Sequence, residues 1–309
     1  MVRSERQVPD VYFGRPGALV TMPYPRGDMD RSYERLTSDF VAGSGQHMVS
    51  SMVDGSRAYT VNWEVLHADT YARVEQYWLG MNGPGPFVFI DPSAPNLLPP
   101  NVASATNLRM DTTHLITSGG SNGTVSSNSV ATNIHRTGGT RSIRWLWSVT
   151  AATTPTLGVQ PLYRSWFAHP VAPSLPYTFS SWLKPDGVVD TSITVAMVLE
   201  WQDITGTIIG SQISSGATAV TAWQRLSVSG TSPSNAAYVR PLWVVTGSSV
   251  TTGGSLYIDE PLLEQDSVLN TWAPGTGIRP VEIVGLNDSV PFAARFRDSL
   301  ALNLRELTA

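Results

Sequence analysis

The chain has 309 residues, of which 41% are hydrophobic and only 14% charged, with a formal net charge of −4. That length accommodates two ordinary domain cores, and the acidic balance leaves no clustered Lys/Arg footprint for phosphate backbones, so nucleic acid is not an expected partner. There is no cysteine, which removes disulfides, thiolate metal sites and a cysteine nucleophile; no run of ~18 apolar residues suggests a membrane span.

Glycine (26) and proline (22) punctuate the chain at short intervals, the texture of a mainly β protein. Residues 1 to about 50 are broken by Gly14–Gly17, Pro23–Pro25 and Gly43–Gly45, and read as short strands and loops. From Arg57 to Leu66, Tyr59, Val61, Trp63 and Val65 alternate with polar neighbours, the period-two pattern of a half-buried strand. The period changes at Asp69, a plausible N-cap. Tyr71, Val74, Tyr77, Trp78 and Met81 then recur at helical spacing, and predict the chain's one helix. Phe87–Ile90 is a short buried strand halted by Asp91-Pro92. Asn96–Asn101, with Pro99 and Pro100 adjacent, reads as an extended linker.

A Ser/Thr/Gly-rich stretch follows, with strands expected at 142–150, 177–184, 192–201, 224–229, 238–245 and 255–263, a rhythm that favours an antiparallel sandwich. Val281–Leu286 and the alternation of Leu300, Leu302 and Leu304 predict two final strands. About 35 residues are too few to bury a core alone, so these strands are expected to complete the sheet begun at the N-terminus. The expected organisation is a discontinuous β-sandwich domain with one helix, from residues 1–95 and 275–309, and an inserted β-jelly-roll sandwich at 96–274.

Signatures of catalysis are missing: there is no G-x-S-x-G, H-E-x-x-H, G-x-x-x-x-G-K-[ST] or G-x-G-x-x-G opening a helix. His47, His67, His114, His135 and His169 lack metal-ligand spacing. Glu200 with Asp203, and Glu260 with Glu264, are the nearby carboxylate pairs that glycoside hydrolysis would need. A polar turn beside Gly206 accounts more simply for the first. Asp28-Met-Asp30 reads as a solvated turn. The chain is therefore expected to bind without catalysing.

Four segments, Tyr177–Lys184, Val198–Gly206, Thr221–Val228 and Leu256–Glu264, together resemble in order and spacing the carbohydrate-binding modules of β-jelly-roll fold. The resemblance implies sugar binding and covers about half of the chain. It places Trp182, Trp201 and Trp223 in core or sheet-lining positions, and leaves Trp166, Trp147 and Trp243 as the candidates for stacking on a sugar ring. It also places Asp259 where such modules use a carboxylate to hold a structural Ca²⁺; no other cofactor is implied.

The flanks, in Arg57–Asp91, Asn270–Gly277 and the closing Leu-x-Leu-x-Leu strand, are similar to tail proteins of long-tailed bacteriophages of actinobacteria, with the distal tail protein the nearest role. That resemblance implies a homohexameric ring at the end of the tail tube, contacts with the tube and other tail-tip proteins, and an inserted domain facing host cell-wall glycans. It implies synthesis in the host cytoplasm and location at the tail tip of the virion, in accord with an N-terminus that lacks a signal-peptide pattern. The helix stripe with Tyr71, Tyr77 and Trp78 is the candidate subunit interface, and Arg295, Arg297 and Arg305 are candidates for pairing between subunits or for guarding a sheet edge. A secreted carbohydrate-binding accessory protein, and a purely structural tail protein without sugar binding, are the other classes these residues allow.

Overall fold

The computed structural model describes residues 10–25, 29–34, 37–51, 56–105, 115–118, 124–147, 155–186, 194–218, 222–246, 254–289, 296–297 and 299–307. It divides into two compact units, 1–92 with 279–309, and 93–278. Asp28, His114 and Arg295 lie outside the described residues.

The first unit contains β1 (Val11–Arg15), β2 (Ala18–Met22), β3 (Met29–Glu34), β4 (Thr37–Val41), β5 (His47–Ser51), β6 (Ser56–Trp63), β7 (Leu66–His67), helix α1 (Ala68–Trp78) and β8 (Phe87–Ile90). The second contains α2 (Pro100–Ala103), β9 (Leu115–Ser118), β10 (Thr124–Asn128), β11 (Ser142–Trp147), β12 (Thr156–Val159), β13 (His169–Pro170), β14 (Pro176–Asp186), β15 (Thr194–Gln202), β16 (Ile208–Ile213), β17 (Ala217–Thr218), β18 (Gln224–Thr231), β19 (Tyr238–Thr246) and β20 (Gly254–Glu264). The chain returns to the first unit with β21 (Pro280–Ser289), β22 (Phe296–Arg297) and β23 (Ser299–Glu306). Among the described residues no helix is long and apolar enough to cross a membrane.

In the first unit an antiparallel sheet runs β2-β1-β8-β21-β23-β6-β3, so the last strands sit in its middle, between β8 and β6. The alternation in β6 is real packing: Tyr59, Val61 and Trp63 are buried, as are Leu300, Leu302 and Leu304 opposite them. β6 and β23 are further joined at Glu306, whose carboxylate accepts from Arg57 Nε at 2.8 Å, Arg57 N at 2.9 Å and the Tyr59 hydroxyl at 3.0 Å. Burial pushes the Tyr59 phenol well above its ordinary value.

α1 differs from the expectation in two ways. His67, not Asp69, is its N-cap, its Nδ1 accepting from the Asp69 amide, and the helix stops at Trp78, leaving Met81 beyond it. Tyr71, Val74 and Tyr77 point into the core, and Tyr77 packs edge-on against Phe13 and Phe87.

In the second unit β10-β11-β20-β14-β18 form a five-stranded sheet, and β16-β15-β19-β12-β9, with β13 and β17 added at the sides, form a seven-stranded one. Both are antiparallel, and their inner faces meet ring to ring: Phe179 lies 5.1 Å from Trp243, and Tyr177 5.9 Å from Trp201. Trp243 Nε1 donates to Ser181 Oγ at 2.8 Å, satisfying a polar group that the sandwich would otherwise bury unpaired.

The expected linker at Asn96–Asn101 is built into this unit. Pro100 occupies the first turn of α2, where its missing N–H costs nothing. Asn96 is fully buried, donates to Pro261 O and Ala273 O, and accepts from Leu98 N and Leu263 N. A single amide side chain thus joins the start of the unit to its last strand and to its exit.

Candidate functional site

Strand pairing settles which side chains share the outer face of the seven-stranded sheet. Trp201 and Trp243 face inward, so their neighbours Glu200, Gln202, Leu242 and, through the register, Arg240 and Tyr238 face outward. Directly paired positions give one apolar row across five strands: Ile213, Val198, Leu242, Gly158 and Ile116. Its centre is buried at Val198 and Leu242, while its ends, Ile213 and Ile116, are 58% and 42% exposed. A Cβ added at Gly158 would lie 2.9 Å from Leu242 Cδ2, so the end of the Leu242 side chain would have to shift.

Beside that row runs a polar one. Arg240 Nη2 lies 2.7 Å from Glu200 Oε1, and Gln202 Nε2 donates to the same carboxylate oxygen at 2.9 Å. Glu200 and Gln202 are buried, whereas the Arg240 side chain keeps 28% of its surface exposed. Gln202 Oε1 and Arg240 Nε are buried with no hydrogen-bond partner among the described residues. The row therefore combines a neutralised ion pair, an amide and spare hydrogen-bonding capacity.

Two rings stand at its end. Phe167 is 52% exposed and meets Tyr238 edge-on with centroids 5.9 Å apart. It lies against Gly206, where the backbone has φ +80 and an added Cβ would come within 2.6 Å of the ring. Burial raises the Tyr238 phenol to about 12, so it is a neutral hydroxyl at ordinary pH. The turn under Phe167 is ordered by Asp203, whose Oδ1 accepts from Thr205 Oγ1, Thr205 N and Thr207 N. The Thr205 hydroxyl and these amides hold its carboxyl below the usual carboxylate range. Glu200 and Asp203 are thus a guanidinium partner and a turn former, each committed to its own neighbours.

The tryptophans singled out for stacking are elsewhere. Trp243 is fully buried between the sheets, and Trp147 packs against Trp145 on the inner side of β11, 5% exposed. Trp166 is 6% exposed against Tyr163. None of the three offers a free ring face. The ring that does reach solvent, Phe167, is Trp166's neighbour in the same loop; aromatic density pointed to the loop but not to the residue.

Asp259 is also placed differently from the calcium expectation. It is 1% exposed, and its oxygens accept from the amides of His135 at 2.9 Å, Arg136 at 3.1 Å and Glu260 at 2.8 Å. Among the described residues no group of three or more His, Cys, Asp or Glu could hold a metal ion. Amide donors sit where a hard cation would require oxygen ligands, so these residues do not fit calcium.

In the first unit Tyr71 and Tyr77 belong to the core, which removes them from an external interface, while Trp78 is 45%, Leu79 62% and Met81 70% exposed. Arg305 pairs with Glu282 on the adjacent strand of its own sheet.

No protein-family model matches the chain, and no curated protein does. Among solved structures it is similar to the enzymatically active domain of tailspike protein 4 of bacteriophage CBA120, with 14% identity and a TM-score of 0.38, covering 53% of this chain and 22% of that one. It is similar to carbohydrate-binding modules of the β-sandwich superfamily, with 14% identity and a TM-score of 0.38, over 84% of this chain and 100% of that one. The C-terminal family 22 carbohydrate-binding module of Clostridium thermocellum Xyn10B is 17% identical with a TM-score of 0.34, over 53% and 92% of the two chains. The chain spans only about a quarter of the length of the first structures it matches, 22%, 26% and 26%.

Proposed function

We propose that the sandwich unit is a saccharide-binding module, and that the chain is a structural component of a phage tail tip. The observation that carries the binding reading is the outer row of Arg240, Glu200 and Gln202 beside the exposed Phe167 ring. Sugars are recognised by planar polar groups that pair with adjacent hydroxyls and by flat apolar surfaces under the ring C–H groups. Here the guanidinium and amide supply the first, and Phe167 with the apolar row supplies the second.

The module acts by binding and not by hydrolysis, since Glu200 is paired with Arg240 and Asp203 holds its own turn. The tail-tip reading assigns the first unit to a ring of copies, sixfold in the form expected, that meets the tail tube and neighbouring tail-tip proteins. The apolar run Trp78, Leu79 and Met81 supports a protein contact there. The ligand would be a glycan of the host cell wall.

Calorimetric titration with neutral oligosaccharides tests the module. Binding by the native protein, weakened about tenfold in R240M at unchanged fold, is the expected outcome, since one charge-assisted contact is lost. Failure of every neutral glycan to bind, or equal affinity in R240M, removes the reading. Mass photometry and negative-stain averaging test the ring: closed particles are expected, and a strict monomer at high concentration with no tail template to join would count against it.

A further inference from the structure

The outer face of the five-stranded sheet carries a second cluster that the first site does not use. Trp182 on β14 faces outward, and its cross-strand partner on β18 is Arg225. His135, from the β10–β11 connection, lies flat on Trp182 with centroids 3.6 Å apart and planes 15° from parallel. Trp223 meets His135 edge-on at 5.8 Å. Arg136 sets its guanidinium 4.3 Å from the centroid of Trp272, and Arg225 Nη2 donates to Asn270 O, two residues before Trp272, at 2.7 Å. His135 and Arg136, adjacent in the chain, join the Trp182–Trp223 group to Trp272.

Two features separate this cluster from ordinary packing. First, His135 Nδ1, Arg136 Nη1, Arg225 Nε and Trp272 Nε1 are all buried without a hydrogen-bond partner among the described residues. Native proteins rarely leave one such polar atom unmet, and three N–H donors in one patch, on Arg136, Arg225 and Trp272, call for acceptors. Second, Glu260 adopts φ +53, a left-handed conformation that costs a non-glycine residue free energy. It sits in a β-bulge, where Ser181 on β14 is opposed by two residues, Glu260 and Pro261. The bulge brings the Glu260 carboxylate to 4.0 Å from His135 Nδ1.

Charge narrows the ligand. Arg136, Arg225 and Lys184 are cations on this face. Of the nearby carboxylates, Asp259 is taken up by three amides, Glu264 and Asp266 are engaged by Asn270, and Glu260 stands beside His135. The patch is rich in N–H donors and cations, with indole planes alongside. We infer that His135, Arg136, Trp182, Trp223, Arg225 and Trp272 form a second ligand site, on the other outer face of the sandwich, for a saccharide bearing an oxyanion. Arg136 and Trp272 donate to the charged oxygens, and the indoles receive the sugar ring.

The same recognition would serve a uronic acid carboxylate or a glycosyl phosphate, and a titration series separates them. The intact protein is titrated with an oligogalacturonate, with glucose 1-phosphate, with inorganic phosphate and with a neutral oligosaccharide. Binding of an acidic sugar is expected to weaken with added NaCl, to fall by about tenfold or more in R136M and severalfold in W272F, and to be unchanged in R240M. Preference for the oligogalacturonate or for the sugar phosphate assigns the oxyanion. Inorganic phosphate as tight as either sugar would overturn the saccharide assignment. Acidic ligands no tighter than the neutral one, or a W272F protein that melts normally and binds as well as the native chain, would overturn the site. W272F keeps an aromatic ring under Arg136 while removing the N–H together with the pyrrole half of the indole, so with its melting temperature as a control it still reports on the site if R136M unfolds. Neutral-sugar binding that responds to R240M alone reports on the first face separately.

Discussion

On the outer face of the seven-stranded sheet Glu200 is neutralised by the guanidinium of Arg240, which still reaches solvent. On the outer face of the five-stranded sheet Asp259 is buried and held by three backbone amides. Both carboxylates lie on central strands and both are cut off from water, yet their consequences differ. A side-chain partner leaves part of the Arg240 guanidinium side chain at the surface, and so open to a ligand. Amide partners consume the carboxylate in architecture, clamping the β10–β11 connection across the sheet. The cluster built on that connection then owes its ligand chemistry to the side chains it carries, His135 and Arg136, and not to the acid beneath them.

The comparison breaks most visibly at Asp259. Asp259→Ala leaves three part-buried amides without their acceptor and should cost about 3 kcal/mol by urea unfolding, with loss of the His135–Trp182 stack seen in tryptophan fluorescence. Glu200→Gln keeps the shape and one accepting oxygen but removes the charge, and should cost about 1–2 kcal/mol, since its partner Arg240 is partly solvated. Equal costs for the two changes would erase the distinction between an architectural and a ligand-facing carboxylate.

Gly158→Ala sharpens the first face alone. The new methyl meets the mobile end of Leu242, so about 1 kcal/mol of stability is expected to be lost, with weaker neutral-sugar binding and no change at the second cluster. Acid should have the smallest effect. The Asp203 carboxyl is held low in the folded protein, so its contribution is present above its unfolded pKa of about 4 and is lost as pH falls through the lower folded value. The Thr205 and Thr207 amides should therefore stay protected from exchange at pH 4 and open below it. Protection lost already above pH 4 would contradict the turn geometry.

How much of this was legible in the residues depended on whether the signal was local. Tyr59, Val61 and Trp63, and Leu300, Leu302 and Leu304, alternate because a pleated strand alternates, and all six are buried as the pattern implied. The strands of the sandwich were legible for the same reason, whereas β10 was missed because it carries a single apolar residue, and β9, β12 and β16 because they are short runs without a clear period-two alternation. The stacking tryptophans were misplaced because alternation gives two faces without saying which is inside. β19, which carries Trp243, is largely buried on both faces, so neither parity stands out. Phe167 had a neighbour signal only, and the donors of the second cluster had none, being ordinary arginines and tryptophans until the fold leaves their N–H groups unpaired.

The sequence by itself determined that this is a mainly β protein with one substantial helix, where its strongest strands lie, and that it lacks the usual signatures of catalysis, because composition, pleat period and motif spacing are properties of neighbouring residues. Tertiary structure alone decided that Glu306 would meet Arg57 across 249 positions, that Arg240 would neutralise Glu200, and that Asp259 would take amides in place of calcium. Those outcomes depend on strand register, and register is set by pairing between segments that are far apart along the chain.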